Sequence, residues 1–154
     1  MRLIYLKPQL KDTTQGSRIA FARQFRKMTQ DEVSEKLGLE GKSKRVNITR
    51  YEKGERSPKE DRIIEIANIL KVNPKSIGKY DGSNPLDIVY TFMWEEELYP
   101  KMKVDLGLSE QLQNKTDALV DSFMKLWKEM KQKREISYEE YIEWKLTFEM
   151  KEGE

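Results

Sequence analysis

Through the first 80 residues the apolar positions fall three and four apart, and nothing alternates with period two for long enough to make a strand. From Ser17 to Met28, Ile19, Ala22 and Phe25 or Met28 share one side, which predicts a helix. Thr29 followed by Gln30-Asp31-Glu32 has the spacing of a capping box. The hydroxyl serves an orphan backbone N–H and Glu32 reaches back. The helix opened there runs to about Leu37 and stops at Gly38, which tolerates the left-handed conformation past a C-terminus. A third helix is expected over about 43–53, ending at Gly54. A fourth starts near Pro58, sets Ile63, Ile66, Ala67 and Leu70 on one face, and stops before Asn73-Pro74. A short helical turn, 74–77, makes the fifth.

Breakers punctuate the chain at Gly16, Gly38 and Gly41, Gly54 to Pro58, Pro74, and Asp81-Gly82-Ser83-Asn84-Pro85. The last is the best linker, because composition and charge sign change there. Beyond it, 85–99 suits a helix carrying Leu86, Val89, Tyr90, Met93, Trp94 and Leu98, closed by Pro100. Residues 101–108 read as a loop or short extended piece. Ser109 opens a long helix to about Arg134, with Leu112, Leu119, Val120, Phe123, Met124, Trp127 and Met130 along one side. Ser137 with Glu140 makes a second capping box before Tyr138, Tyr141, Ile142, Trp144, Leu146 and Phe148.

Composition narrows the chemistry. There is no cysteine and no histidine, which removes thiol nucleophiles, disulfides, the commonest general base and the commonest metal ligand. No metal and no cofactor is expected. The net charge of +2 hides an asymmetry: residues 1–80 carry 19 Lys and Arg against 10 Asp and Glu, whereas 81–154 carry 10 against 17. A basic half joined to an acidic one points to a polyanion-binding module attached to something else. No apolar run approaches the roughly 20 residues that span a bilayer, so a cytoplasmic protein without membrane contact is expected. The opening apolar patch, Leu3 to Leu6, is too short for a signal peptide. Residues 1–15 read as an extension: a short strand, a docked arm or a tail.

Helices two and three are the informative pair. The third, Ser43-Lys44-Arg45-Val46-Asn47-Ile48-Thr49-Arg50-Tyr51-Glu52, is basic and polar. A helix that enters the major groove, about 12 Å wide, needs one apolar stripe to pack down and one polar face to read. Ile48 with Tyr51 or Glu52 fits the stripe. Arg45, Val46, Thr49 and Arg50 lie opposite, where arginine can bond guanine O6 and N7 and Val46 and Thr49 can meet thymine methyls.

The same residues resemble the Cro and phage-repressor (Xre-like) helix-turn-helix family. The matching stretches are Arg18-Ile19 and Arg23, then Met28-Thr29-Gln30-Asp31-Glu32-Val33 through Lys36-Leu37-Gly38-Leu39. Further on come Ile48-Thr49-Arg50-Tyr51-Glu52-Lys53-Gly54, Arg56-Ser57-Pro58, and Ile66-Ala67-Asn68-Ile69-Leu70-Lys71-Val72-Asn73-Pro74. The order and spacing are specific where the single motifs are loose. The resemblance implies a phosphate anchor and buttress at Gln30, base readers at Arg45, Val46, Thr49 and Arg50, and phosphate contacts at Lys53 and Arg56. It also implies a structural pair, Arg23 with Glu52, tying helix one to helix three. One departure stands out, because the turn over 39–45 is about four residues longer than the family's. Either it bulges, with Lys42, Ser43 and Lys44 near phosphates, or helix three gains a turn at its start. Asn47 and Lys44 then become alternative base contacts to Val46 and Thr49.

The expected fold is all-α: a five-helix lambda-repressor-like DNA-binding domain over 16–80, a linker over 81–85, and a smaller helical region over 86–154. Three tryptophans in the second half indicate a helical core. As behind phage-type readers, that half is also expected to serve dimerisation or effector binding, because a dimer spans half-sites roughly 34 Å apart. Residues 135–145 resemble the tail of regulators from phages and mobile elements of low-GC Gram-positive bacteria. The leading expectation is a homodimeric transcriptional regulator of double-stranded DNA, of repressor type. A second is an antitoxin-like protein that grips a protein partner through 86–154 and autoregulates its operon. An enzyme using Glu95, Glu96 and Glu97 is the weakest, since consecutive residues point around a helix rather than converging.

Overall fold

Eight helices and no strand make up the described residues of the computed structural model, namely 8, 10–39, 44–82, 84–98, 118–132 and 136–149. The chain divides into two compact units, Met1–Gly78 and Lys79–Glu154.

The first unit contains α1 (Gln15–Phe25), α2 (Gln30–Lys36), α3 (Lys44–Lys53), α4 (Glu60–Leu70) and the single turn α5 (Pro74–Ile77). Its core gathers Ile19, Phe21 and Ala22 of α1, Val33 of α2 and Ile48 and Tyr51 of α3. To these are added Ile63, Ile66, Ala67 and Leu70 of α4 and Ile77 of α5. Each large aliphatic or aromatic side chain taken fully out of water here contributes about 1.5–3 kcal/mol. The expected stripe of α1 is corrected in one respect. Phe21 is buried, whereas Phe25 and Met28 keep partial exposure.

The helix ends explain where the elements stop. In α2 the N–H of Leu39 returns to the Ser34 carbonyl and that of Gly38 to Glu35, with Gly38 at φ 78°. After α3 the same pair of bonds runs from Glu55 to Arg50 and from Gly54 to Tyr51, with Gly54 at φ 75°. This is the Schellman arrangement, which satisfies the last carbonyls and requires a left-handed residue. Helices α1 and α4 end in the same way, but on lysines: Lys27 at φ 58° and Lys71 at φ 56°. Helix α1 therefore stops at Phe25 and not at Met28. It also starts earlier than Ser17, because the Thr14 hydroxyl caps it by accepting the Ser17 N–H. The box at α2 is complete: Glu32 N–H to Thr29 Oγ1 at 3.1 Å and Thr29 N–H to Glu32 Oε2 at 3.2 Å.

Gly16 lies inside α1 and does not break it. A Cβ there would sit 2.6 Å from the Glu52 carbonyl oxygen and closer still to that of Tyr51. The glycine thus lets the first turn of α1 rest on the backbone of the last turn of α3. Two arginines brace the other contacts. Buried Arg18 donates to the Ser76 carbonyl at 3.0 Å and the Thr13 carbonyl at 3.1 Å. Arg26 donates to the carbonyls of Leu70 at 2.7 Å and Lys71 at 2.9 Å, where α4's C-terminal dipole favours a cation.

The second unit contains α6 (Pro85–Leu98), α7 (Ala118–Gln132) and α8 (Tyr138–Thr147). Asn84 opens α6, its side chain accepting from the Leu86 N–H at 3.0 Å. Ser137 opens α8 by accepting from Glu140 at 3.1 Å. Val89 and Met93 of α6 pack on Phe123, Met124 and Trp127 of α7, with Trp144 and Phe148 against them. Tyr90 stacks on Phe148, 5.1 Å between centroids, and Trp144 lies tilted against Phe148, also at 5.1 Å. The expected start of α7 at Ser109 and the loop at 101–108 lie outside the described residues.

Candidate nucleic-acid interface

Helix α3 carries the polar side chains of interest, and α1 and α2 hold it. Its inward residues are Ile48 and Tyr51. Beside them Glu52 meets Arg23 of α1 in a two-pronged ion pair, Arg23 Nε to Oε2 at 2.7 Å and Nη2 to Oε1 at 2.9 Å. Both side chains are well covered, 13% and 7% exposed, so losing one partner would leave the other charge poorly solvated, unlike at a surface bridge. Arg23 also donates to the Met28 carbonyl at 2.9 Å, which fixes the turn between α1 and α2.

Gln30, the first residue of α2, extends this pair toward α3. Its Nε2 donates to Glu52 Oε1 at 3.1 Å, and its Oε1 accepts from Thr49 Oγ1 at 3.1 Å. One unbroken chain thus links Arg23, Glu52, Gln30 and Thr49 across three helices. Asn47 is held from the other side, its Oδ1 accepting from Arg56 Nη1 at 3.2 Å. Arg50 and Lys53, three apart in the last turns of α3, are exposed, as is Arg56 in the following loop. Lys44, Arg45 and Val46 belong to the first turn of α3, but their side chains lie outside the described residues. So do Lys42, Ser43 and the turn at 40–43.

These two helices, a tight glycine-ended α2 and a polar α3 braced on α1, have the arrangement of a groove-entering pair. Residues 16–78 match the family described as helix-turn-helix domain. The helix-turn-helix is a DNA-binding module of regulators, and the match covers the whole of the braced assembly from Gly16 to Gly78. No curated protein and no solved structure matches the chain.

Within the helix-turn-helix unit, sequence reasoning named Arg23 with Glu52 as a pair and Gln30, Asn47, Thr49 and Arg56 singly, and the fold joins them into two hydrogen-bonded groups. It left three supports unassigned: Gly16, Arg18 and Arg26. Arg18 carried a signal, since it sits four before Ala22 on the buried side, where a charge demands partners. Gly16 and Arg26 carried none, because their contacts come from residues 35 or more positions away.

The second unit has a charged cluster that the sequence reading missed. Lys145 of α8 is buried and donates to Glu96 Oε1 at 3.0 Å, Glu97 Oε1 at 2.6 Å and the Met93 carbonyl at 3.0 Å. Glu96 and Glu97 therefore do converge, because one long ammonium side chain reaches both. Tyr141 donates to Glu96 Oε1 at 2.6 Å, Lys131 pairs with Glu96 Oε2 at 2.9 Å, and Tyr138 donates to Glu97 Oε2 at 3.1 Å. Burial pushes the Glu96 carboxyl up, but the Lys145 charge and the bonds from Tyr141, Lys131 and Lys145 outweigh it and hold the group below its usual range. Glu96 Oε1 and both oxygens of Glu97 accept hydrogen bonds, and the buried Glu96 Oε2 has the Lys131 ion pair but no hydrogen bond, so the cluster braces α6 against α7 and α8. Among the described residues no helix is long and apolar enough to cross a membrane.

Proposed function

We propose that residues 16–80 read a specific DNA sequence, with α3 in the major groove, and that the protein is a cytoplasmic, non-enzymatic transcriptional regulator. The observation that carries this reading is the brace of Arg23, Glu52 and Gln30 behind α3, with Arg50 and Lys53 left exposed on the helix it holds. A reader must be rigid before contact, and this one is tied to both neighbouring helices. In this reading Arg50, Asn47 and Thr49 contact bases, together with Lys44, Arg45 and Val46. Gln30, Lys53 and Arg56, with Lys42 and Ser43, meet phosphates.

Residues 86–154, joined through 81–85, serve dimerisation or effector binding, and residues 1–15 form an extension. A homodimer places two α3 helices about one DNA turn apart. Repression follows where such a dimer covers a promoter, in the manner of phage and mobile-element regulators. The acidic balance of residues 81–154 supports the antitoxin-like alternative, in which this half grips a basic protein partner.

Quantitative band-shift with specific and scrambled duplexes tests the assignment. Arg50→Ala is expected to lower affinity for the specific duplex selectively. Lys53→Ala is expected to weaken both alike and to reduce the salt slope by about 1. Equal losses on both duplexes for Arg50→Ala would refute its role as a base reader.

A further inference from the structure

We propose that Asn47 meets DNA with its side-chain NH2, turned there by Arg56, and so reads a hydrogen-bond acceptor on a base edge. The inference rests on the reading of α3 as the base-contacting helix. It begins where α3 ends. Gly54, at φ 75°, folds the chain back, and the N–H groups of Glu55 and Arg56 both return to the Arg50 carbonyl, at 3.0 and 3.3 Å. The backbone of Arg56 is thereby held beside a residue about one turn beyond Asn47, within reach of a long side chain. Arg56 Nη1 spans that turn and donates to Asn47 Oδ1 at 3.2 Å. A guanidinium donates and never accepts, so of the two ways the Asn47 amide can be turned, only the one with Oδ1 toward Arg56 makes this bond. Among the described residues it is the one hydrogen bond of the Asn47 side chain. The NH2 is left on the far side of the amide, with its protons to offer. With Ile48 and Tyr51 inward, Asn47 lies half-exposed on one flank of the outward face of α3.

In the major groove the acceptors are guanine O6 and N7, adenine N7 and thymine O4, whereas adenine N6 and cytosine N4 donate. Arg56 therefore directs Asn47 to guanine, to adenine N7 or to thymine O4, and away from the cytosine edge, which offers an amine alone. Arg56 has further N–H groups for a phosphate, so one residue both fixes the register on the DNA backbone and sets what Asn47 reads. For that readout Arg56 is a positioning residue.

The test uses the full chain and a duplex enriched from a random pool. Single base atoms of that duplex are deleted: N7 with 7-deaza-guanine or 7-deaza-adenine, guanine O6 with 2-aminopurine, and thymine O4 with 5-methyl-2-pyrimidinone. The amines are deleted with purine for adenine and 2-pyrimidinone for cytosine. Affinities are measured for the native protein, Asn47→Ala, Arg56→Met and Lys53→Met, with circular dichroism confirming that each is folded. Comparing variants on one duplex cancels the effect of each analogue on the duplex itself. At one base, loss of an acceptor is expected to weaken the native protein about fivefold and to leave Asn47→Ala unchanged. Arg56→Met should bind every duplex less tightly and lose most of that acceptor effect. Lys53→Met should also bind less tightly but keep the effect, since the bond to Asn47 comes from Arg56. Coupling of Asn47 to both N7 and N6 of one adenine upholds the assignment, the second lone pair of Oδ1 then serving the amine. Coupling to an amine alone, or to no base atom, overturns it while α3 remains a reader. An acceptor effect undiminished in Arg56→Met overturns the positioning role of Arg56. A pool that enriches no sequence overturns the reading of α3 and this inference together.

Discussion

Removing the Glu52 carboxylate should unfasten three helices at once. Glu52→Met would strip Arg23 of a two-pronged pair and Gln30 of an acceptor, while Arg23 would keep only the Met28 carbonyl among its bonds described above. Breaking a buried pair from one side costs about 3–5 kcal/mol, because the remaining charge stays desolvated. The Arg23 side chain is 13% exposed and can recover some water, which brings the expected loss to about 2–4 kcal/mol. A unit of this size has a total stability of about 3–10 kcal/mol, so the loss would be a large part of it. The companion variant is sharper still. Replacing both partners, as Arg23→Met with Glu52→Met, removes the stranded charge and should restore much of the stability. Urea unfolding followed by far-UV circular dichroism is the assay. All three tryptophans, Trp94, Trp127 and Trp144, lie in the second unit, so their fluorescence cannot follow this change. If the two single losses simply add in the double variant, the account of a buried, mutually dependent pair is wrong.

Three further outcomes follow from the packing and the caps. Gly16→Ala would force a methyl group into the carbonyl oxygens of Tyr51 and Glu52, and should destabilise the first unit by about 1–3 kcal/mol in thermal melts; an unchanged melt would refute the close approach. Lys71→Gly relieves a left-handed lysine at the end of α4 and should stabilise by up to about 1 kcal/mol, whereas a loss would show that the lysine side chain matters more than its φ. In the second unit the Glu96 carboxyl titrates below its ordinary value when folded, so its contribution is fully present above the unfolded pKa of about 4.3 and is lost as pH falls through the lower folded value. Tryptophan-monitored urea midpoints should therefore hold steady above about pH 5 and drop in more acid solution; a midpoint that rises on acidification would contradict the sign.

What the sequence made legible follows from how local each cause is. Thr29 and Glu32 are three residues apart, so their mutual cap could be read directly, and it forms. Gly38 and Gly54 marked the ends of α2 and α3, because glycine is the usual residue at positive φ. Lys27 and Lys71 adopt the same conformation without advertising it, which is why the spacing alone carries α1 on to Met28. Gly16 looks like a breaker, and its actual use, making room for α3, depends on the backbone of residues 51 and 52. Lys145 stands three after Ile142, on the side of α8 that is buried, yet its partners are 48 and 49 positions earlier. A charge on an apolar face signals a partner but does not say which. The resemblance already implied the Arg23–Glu52 link of the polar chain, while its continuation through Gln30 to Thr49 came only from the fold.

The central claim is that α3 reads a sequence, and the most direct measurement is to sequence the DNA that the purified full-length protein recovers from a randomised duplex pool. A reader predicts an enriched motif, repeated in inverted orientation about one turn apart if the protein binds as a dimer, with enrichment lost in Arg50→Ala. Recovered DNA indistinguishable in sequence from the input pool would contradict it.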